Sequence, residues 1–262
     1  MSYLSAILEH KRTEAFDKPP RYTDAELSYL ASKLPPVPSL AKSVCDPTRN
    51  GIIAEFKRRS PSKGAIHEGI MPRQVVPGYE RAGVSGISVL TDERFFGGTI
   101  DDVAEASTCT TLPILRKEFI LFEHQILEAR AFGAAAILII AAALPVERAR
   151  ALIDYANELG LEVLLELHTP EEAQYVCDGV AVVGVNNRNL ETFEVDLENS
   201  MRMLDILPPD LPKIAESGIS DPEDMLRLRR AGFSGFLIGE QFMKHADPSQ
   251  ACIDFCQHLT TQ

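Results

Sequence analysis

The chain contains no tryptophan, no unbroken apolar run of bilayer length and no excess of basic residues. A membrane-spanning helix needs ~20 consecutive apolar residues, so no span is expected. The formal net charge of -12 argues against a general nucleic-acid or anionic-membrane binder, because either needs a basic face to displace counterions. The five cysteines (Cys45, Cys109, Cys177, Cys252, Cys256) are odd in number and form no C-x-x-C, which points to reduced thiols in a cytoplasmic setting. Cys252 and Cys256 sit four apart on a predicted helix and read as a buried face, since free cysteine packs as a small hydrophobe. The six histidines fall in no H-E-x-x-H or similar spacing, and no metal is expected. MSYLSAILEHKRTEAF at the start spreads charge through a helical spacing and lacks the apolar core of a signal peptide.

What the sequence does have is enough apolar residue, 45%, to build a large core from 262 residues. That length suits one α/β barrel, and residues 1–262 are expected to form a single domain with 1–48 as a helical extension. Residues 3–16 and 24–33 have helical spacing, and KLPPVPSL after them reads as an extended connector. Together they look like an added lid or base. From residue 52 onward, short apolar runs alternate with amphipathic stretches. Strands are predicted for a run opening at Ile52, then Gly86–Leu90, Pro113–Leu115, Ala135–Ile140, Glu162–Leu165, Ala181–Val185, Lys213–Ala215 and Gly235–Ile238. Helices are predicted for Met71–Ala82, Ile100–Ser107, Glu123–Phe132, Val146–Leu159, Pro170–Cys177, Leu197–Leu207, Asp221–Ala231 and Pro248–Leu259. Pro222 in a first turn and Gly160 just past a helix end support two of these boundaries. Eight strand-helix units imply parallel pairing and a closed (β/α)8 barrel. An open doubly wound sheet stays in play, although its G-x-G-x-x-G fingerprint is missing from the first strand-to-helix turn.

Charge gathers where the apolar runs end. The opening stretch, IIAEFKRRSPSKG, puts Glu55 and Lys57 on one face of a strand and Phe56 on the other. Arg116 and Lys117 close the third run, Glu166 the fifth, Asn186 the sixth and Glu216 the seventh. In a barrel these positions share the face on which active sites are built. Lysines and carboxylates around one cavity supply general acids and bases, and a lysine in a drier spot would have its pKa lowered toward neutrality. Such a lysine could instead form a Schiff base with a carbonyl substrate. Ser217-Gly218 follows the seventh run, and Gly239-Glu240 opens a short helix through Lys244 after the eighth. Backbone N–H groups at these places commonly hold phosphate in barrels. Ser60 and the basic KRRSPSK loop add local positive potential, so a phosphorylated anionic substrate is expected.

The quoted motifs, with ISVLTDERFFGGT, LPILRKEFI, LEVLLELHT, VGVNNRNLETFEVDLE, IAESGIS and FLIGEQFM, resemble the indole-3-glycerol phosphate synthase family, in order from about residue 51 to 244. The resemblance implies closure of the pyrrole ring of 1-(2-carboxyphenylamino)-1-deoxyribulose 5-phosphate with loss of carbon dioxide and water, without cofactor. It implies that Lys117 is the general acid of ring closure. Lys57 would hold the substrate carboxylate and assist dehydration, and Glu166 would be an acid/base group. Glu55, Asn186 and Glu216 would position substrate and support charge. Ser60, Ser217, Gly218, Gly239 and Glu240 match phosphate-site positions, Phe96, Phe119 and Leu190 match apolar walls, and Arg188 matches a loop residue after the sixth strand. Glu240 stands where some members have serine: with only its backbone N–H facing the phosphate its carboxylate can point elsewhere, and otherwise phosphate affinity suffers. Pro77 inside a helix and a short link between strands five and six also depart from the family pattern. The implied assembly is a monomer or weak homodimer, with association with other tryptophan-pathway enzymes left open. A related isomerase, a Schiff-base aldolase and a non-catalytic phosphometabolite-binding barrel are the competing readings; the isomerase would need a cysteine near the end of strand one, where the chain has Phe56 and Lys57.

Overall fold

Near-continuous apolar runs bounded by turns become strands buried on both faces. In the computed structural model, which describes residues 3–17 and 19–260, these are β1 Ile52–Phe56, β2 Gly86–Leu90, β3 Ile114–Lys117, β4 Ala136–Ile140, β5 Glu162–Leu167, β6 Val182–Asn186, β7 Lys213–Glu216 and β8 Gly235–Ile238. Each pairs in parallel with its sequence neighbour, and β1 pairs with β8 through Ile53 opposite Leu237, so the eight strands close into a barrel. The open-sheet alternative is thereby excluded. Alternation sorts the side chains: Ile53, Leu115, Leu138, Leu164, Ile214 and Leu237 fill the barrel interior. Ile52, Val89, Ile137, Leu165 and Val183 face outward into the layer between strands and helices.

That outer layer is made by α4 Pro72–Arg81, α6 Ile100–Cys109, α7 Glu123–Ala131, α8 Val146–Glu158, α9 Glu198–Leu204, α10 Pro222–Ala231 and α12 Pro248–Thr260, with α5 Glu93–Phe96 and α11 Glu240–Met243 as short turns in loops. Local chemistry fixes the boundaries. Asp221 accepts from the Glu223 N–H at 2.9 Å ahead of Pro222, a cap contributing about 1 kcal/mol. Gly160 ends α8 with φ 72°, a conformation in which glycine carries no Cβ penalty. The α4 helix runs through Pro77 and loses one internal hydrogen bond there, while Val75, Val76 and Tyr79 on it are fully buried. Cys252 and Cys256 are both buried on α12, as the spacing predicts.

Three differences separate the structure from the sequence reading. Residues 170–177 do not form an α-helix; Pro170–Tyr175 is a 3-10 segment, whose Glu172 carboxylate turns back to accept from the His168 and Thr169 N–H groups. The connector after residue 33 is extended only as far as Ser39, which caps α3 Leu40–Val44 by accepting from the Lys42 N–H at 3.0 Å. The loop after β1 folds as a small hairpin, Arg59–Ser60 against Gly64–Ala65.

The extension divides its work between the two ends of the barrel. α1 Tyr3–Asp17 lies at the mouth, where Tyr3, Leu4 and Ile7 line the cavity. α3 closes the other end, with Leu40 against Gly86 and Val44 against Gly235 at the starts of β2 and β8. α2 Asp24–Lys33 packs on α7. Lid and base are therefore separate helices of one extension.

Candidate active site

The charged residues predicted to follow the strands are mostly inside them. Lys117, Glu166, Asn186 and Glu216 are the last or next-to-last hydrogen-bonded positions of their strands, and only Lys57 lies past the end of β1. Strand pairing then sets their spacing, with Ile140 opposite Glu166, Glu166 opposite Gly184 and Asn186 opposite Glu216. Side chains so placed are held more rigidly than loop residues. Arg116, adjacent to Lys117, points the other way: its guanidinium lies 2.7 Å from Glu128 and donates to the Gln125 carbonyl, tying β3 to α7.

Two lysine-carboxylate groups result. Lys57 Nζ donates to Glu55 Oε1 at 2.6 Å. Lys117 Nζ lies between Glu166 Oε2 at 2.8 Å and Glu216 Oε2 at 3.0 Å. Glu166 is 2% exposed and Glu216 1%. Room for the acids comes from missing side chains: a Cβ on Gly184 would fall 2.1 Å from Glu216 Oε1, and one on Gly239 would fall 2.4 Å from Glu55 Oε1.

Burial alone would lower the Lys117 pKa, but the carboxylates of Glu166, Glu216 and Glu55 outweigh it and raise the value. The expectation that the drier lysine would be pushed toward neutrality is therefore corrected; desolvation loses to three nearby anions. The two acids split. Burial works to raise both, yet Lys117 and His168 bring Glu166 below the ordinary carboxylate range, while Glu216, facing the Glu166 anion as well, ends above it. Two carboxylates pushed in opposite directions thus share a single ammonium.

The mouth above these groups is a cavity of about 370 Å³ that also takes in Ser60, Phe96, Phe119, Asn186, Arg188 and Leu190. Phe96 and Phe119 rings stand 6.2 Å apart at 38°, forming one apolar wall. Across from them lie Ser217, Gly218, Gly239 and Glu240. Ser217 has φ 64° and Gly218 φ 81°; a left-handed serine is uncommon and marks a turn held by its surroundings. Asn187 buttresses that turn by donating to the Glu216 and Ser217 carbonyls at 3.1 and 3.3 Å. The Glu240 carboxylate does not turn away from the mouth. It lies 3.6 Å from Lys63 of the hairpin loop and 3.9 Å from Arg188.

The structure brings all fifteen predicted site residues to this one cavity. Several further participants escaped the sequence reading. Lys244 lines the same mouth. Lys11 reaches from α1 to Asp92 at 2.8 Å and Glu118 at 3.1 Å, pinning the lid beside β2 and β3; no local pattern betrays a pair so distant in sequence. His168 Nε2 lies 3.3 Å from Glu166 Oε1. The period-two rule that placed Glu55 with Lys57 would have found it, since His168 is two residues past Glu166.

Comparison with known proteins agrees with this geometry. The family model described as Indole-3-glycerol phosphate synthase matches residues 4–255. An indole-3-glycerol phosphate synthase of Bacteroides thetaiotaomicron is 46% identical over 256 residues, covering 98% of each chain. One of Oceanobacillus iheyensis is 40% identical, covering 93% of this chain and 92% of the relative. Among solved structures, a mutant tryptophan synthase alpha-subunit from Pyrococcus furiosus superposes with a TM-score of 0.60 over 82% of this chain and 99% of its own, at 16% identity, a likeness of fold alone. Matched across nearly its whole length in sequence and carrying the barrel and mouth just described, the chain belongs to the indole-3-glycerol phosphate synthase family, carbon-carbon lyases of tryptophan biosynthesis.

Proposed function

We propose that the chain converts 1-(2-carboxyphenylamino)-1-deoxyribulose 5-phosphate to indole-3-glycerol phosphate through the residues of this cavity, with residues 1–262 acting as one barrel unit. The observation that carries the reading is the Lys117 ammonium bracketed at 2.8 and 3.0 Å by the buried carboxylates of Glu166 and Glu216 at the mouth of the cavity. Ring closure joins the aromatic carbon bearing the carboxylate to the ketone carbon, and the carbonyl oxygen gains the negative charge. Lys117, whose pKa is raised, arrives protonated and meets that oxygen; its high value suits an alkoxide, a far stronger base than the starting ketone. Loss of carbon dioxide returns the electron pair to the ring.

Dehydration then needs an acid for the departing hydroxyl and a base for the proton lost from carbon. Lys57, held by Glu55 just past the end of β1, binds the substrate carboxylate and then serves the hydroxyl. Glu166, ionised, takes the proton. Glu216, Glu55 and Asn186 hold the two lysines and the substrate in register. Phe96, Phe119 and Leu190 enclose the anthranilate ring. Ser60, the turn at Ser217-Gly218 and the backbone of Gly239 and Glu240 receive the phosphate, with Arg188 beside them. Phosphate entering there meets the Glu240 carboxylate, which must swing aside and release Lys63 and Arg188 to the incoming anion. The free thiols fit a reducing, cytoplasmic setting, and no helix among the described residues is long and apolar enough to cross a membrane.

Purified protein given the anthranilate-derived substrate in reducing, chelator-treated buffer is expected to yield indole fluorescence; absence of product would sink the assignment. Lys117→Ala is expected to lose about 10²–10⁴ in kcat while substrate still quenches or shifts protein-bound fluorescence at wild-type concentrations. Near-normal turnover in that variant would remove Lys117 from its role. Borohydride trapping of a substrate adduct would favour the Schiff-base reading instead.

A further inference from the structure

His168 is a buried titratable group that the reaction above does not use. It lies just past β5, 9% exposed at its side chain, with Nε2 3.3 Å from Glu166 Oε1 and Nδ1 3.8 Å from Glu172 Oε2. Both ring nitrogens are buried without a hydrogen-bond partner, so these two carboxylates meet the ring by charge and proximity. Lys117 occupies the other oxygen of the same glutamate, Oε2 at 2.8 Å. Glu166 therefore has the Lys117 ammonium at one oxygen and the His168 imidazole at the other.

The ring is also held from behind. Glu172, in the 3-10 segment Pro170–Tyr175, accepts from the His168 backbone N–H at 2.5 Å, and Asn199 on α9 donates to the His168 carbonyl at 3.0 Å. The charged and titratable groups facing the ring are Glu166 from β5, Glu172 from the 3-10 segment and Glu216 from β7, with Lys117 from β3 on the far side of Glu166. Carboxylates outnumber cations around the imidazole.

We propose that His168 is a positioning residue that holds Glu166 through Oε1, keeps it ionised and so assigns the shared proton to Glu216 rather than to Glu166. Without it, only the Asn186 side chain would still favour the Glu166 anion over that of Glu216, and the asymmetry between the two acids would weaken. Burial works to lower the His168 pKa, and the Glu172, Glu166 and Glu216 carboxylates together raise it. The 3-10 segment thereby gains a purpose: its capping glutamate places a second carboxylate behind the ring. This inference rests on the reading of Glu166 as the base, but its test does not depend on turnover alone.

The experiment pairs His168→Gln with Glu172→Gln, which keeps a capping oxygen and removes the charge. In His168→Gln, kcat is expected to fall about tenfold with KM nearly unchanged, and the acidic limb of the kcat-pH profile to move up by about one unit as Glu166 loses a cationic neighbour. Glu172→Gln should move the same limb upward by less. An unmoved limb in His168→Gln, with any loss matching the loss of folded protein, would mean that the ring only packs and would overturn the proposal. Nuclear magnetic resonance of wild-type protein carrying ring-labelled histidine gives the second reading: the resonance perturbed by Glu172→Gln should titrate above 6.5, and one titrating below that value also overturns it. Should His168→Gln fail to fold, the titration decides alone. Should the wild type make no indole product, the parent assignment falls while the titration still reports on His168.

Discussion

At the scale of single residues, the site is a problem of placing three carboxylates where water is scarce. Glu216 carries the largest burden, since its Oε1 has no hydrogen-bond partner and its pKa is raised by burial and by the Glu166 anion. A group whose folded pKa exceeds its unfolded value lends stability only below the unfolded value. That stability drains away as pH climbs from about 4.5 through the folded pKa. Glu216→Gln removes the drain, so the variant is expected to be more stable than wild type at pH 8, by on the order of 1–3 kcal/mol, and to lose most activity. Urea unfolding at pH 5 and pH 8 checks the sign: the variant's advantage must grow with pH. The identities of Glu55, Lys57, Lys117, Glu166, Asn186 and Glu216 were legible because alternation along a strand is a local rule. Gly184 and Gly239, which make space for two of the acids, were not equally legible, because a cavity for another strand's side chain leaves no trace in the glycine's own neighbourhood.

At the scale of elements, the lid is the informative case. Among the described side chains of α1, Ile7 and Leu8 are the buried apolar ones, and Lys11 adds a charged attachment between Asp92 and Glu118. Both carboxylates are almost fully buried, and the Lys11 pKa is raised because these anions outweigh its own burial. Lys11→Met would leave Asp92 without its ammonium and Glu118 with only the longer cation contact to Arg116 at 4.0 Å, a loss of about 3–5 kcal/mol if neither acid escapes to solvent. A fall in melting temperature with faster amide exchange along α1 is the expected result; unchanged exchange there would show that apolar contacts alone seat the lid. Elements long enough to show periodicity were readable from sequence. α3, α5 and the hairpin are too short to display a period, and the stretch after Thr169 carries helix-starting residues, Pro170 and Glu172, that suit a 3-10 turn as well as an α-turn.

At the scale of the whole molecule, closure was legible only as a count of strands, since no residue of β1 names β8 as its partner. Once closed, the barrel leaves its strands without free edges, and the loops at the mouth bear the motion. Arg58 anchors the root of the first loop through a bidentate pair with Asp102 at 2.6 and 2.7 Å and a bond to the Gly97 carbonyl. Movement must therefore begin beyond it. Native-state hydrogen exchange is expected to be fastest in residues 59–65 and 188–195 and slowest in β4 to β7, a ranking set by buried contacts; protection of the hairpin equal to that of the strands would contradict it. The Lys11 latch also bears on how the chain is made. The lysine leaves the ribosome first, and both its carboxylate partners are synthesised much later. β1 then waits for β8, the last barrel strand. A nascent chain stopped short of Gly235 therefore holds both latch carboxylates yet exposes two unpaired strand edges, so the lid can seat on a barrel that is still open.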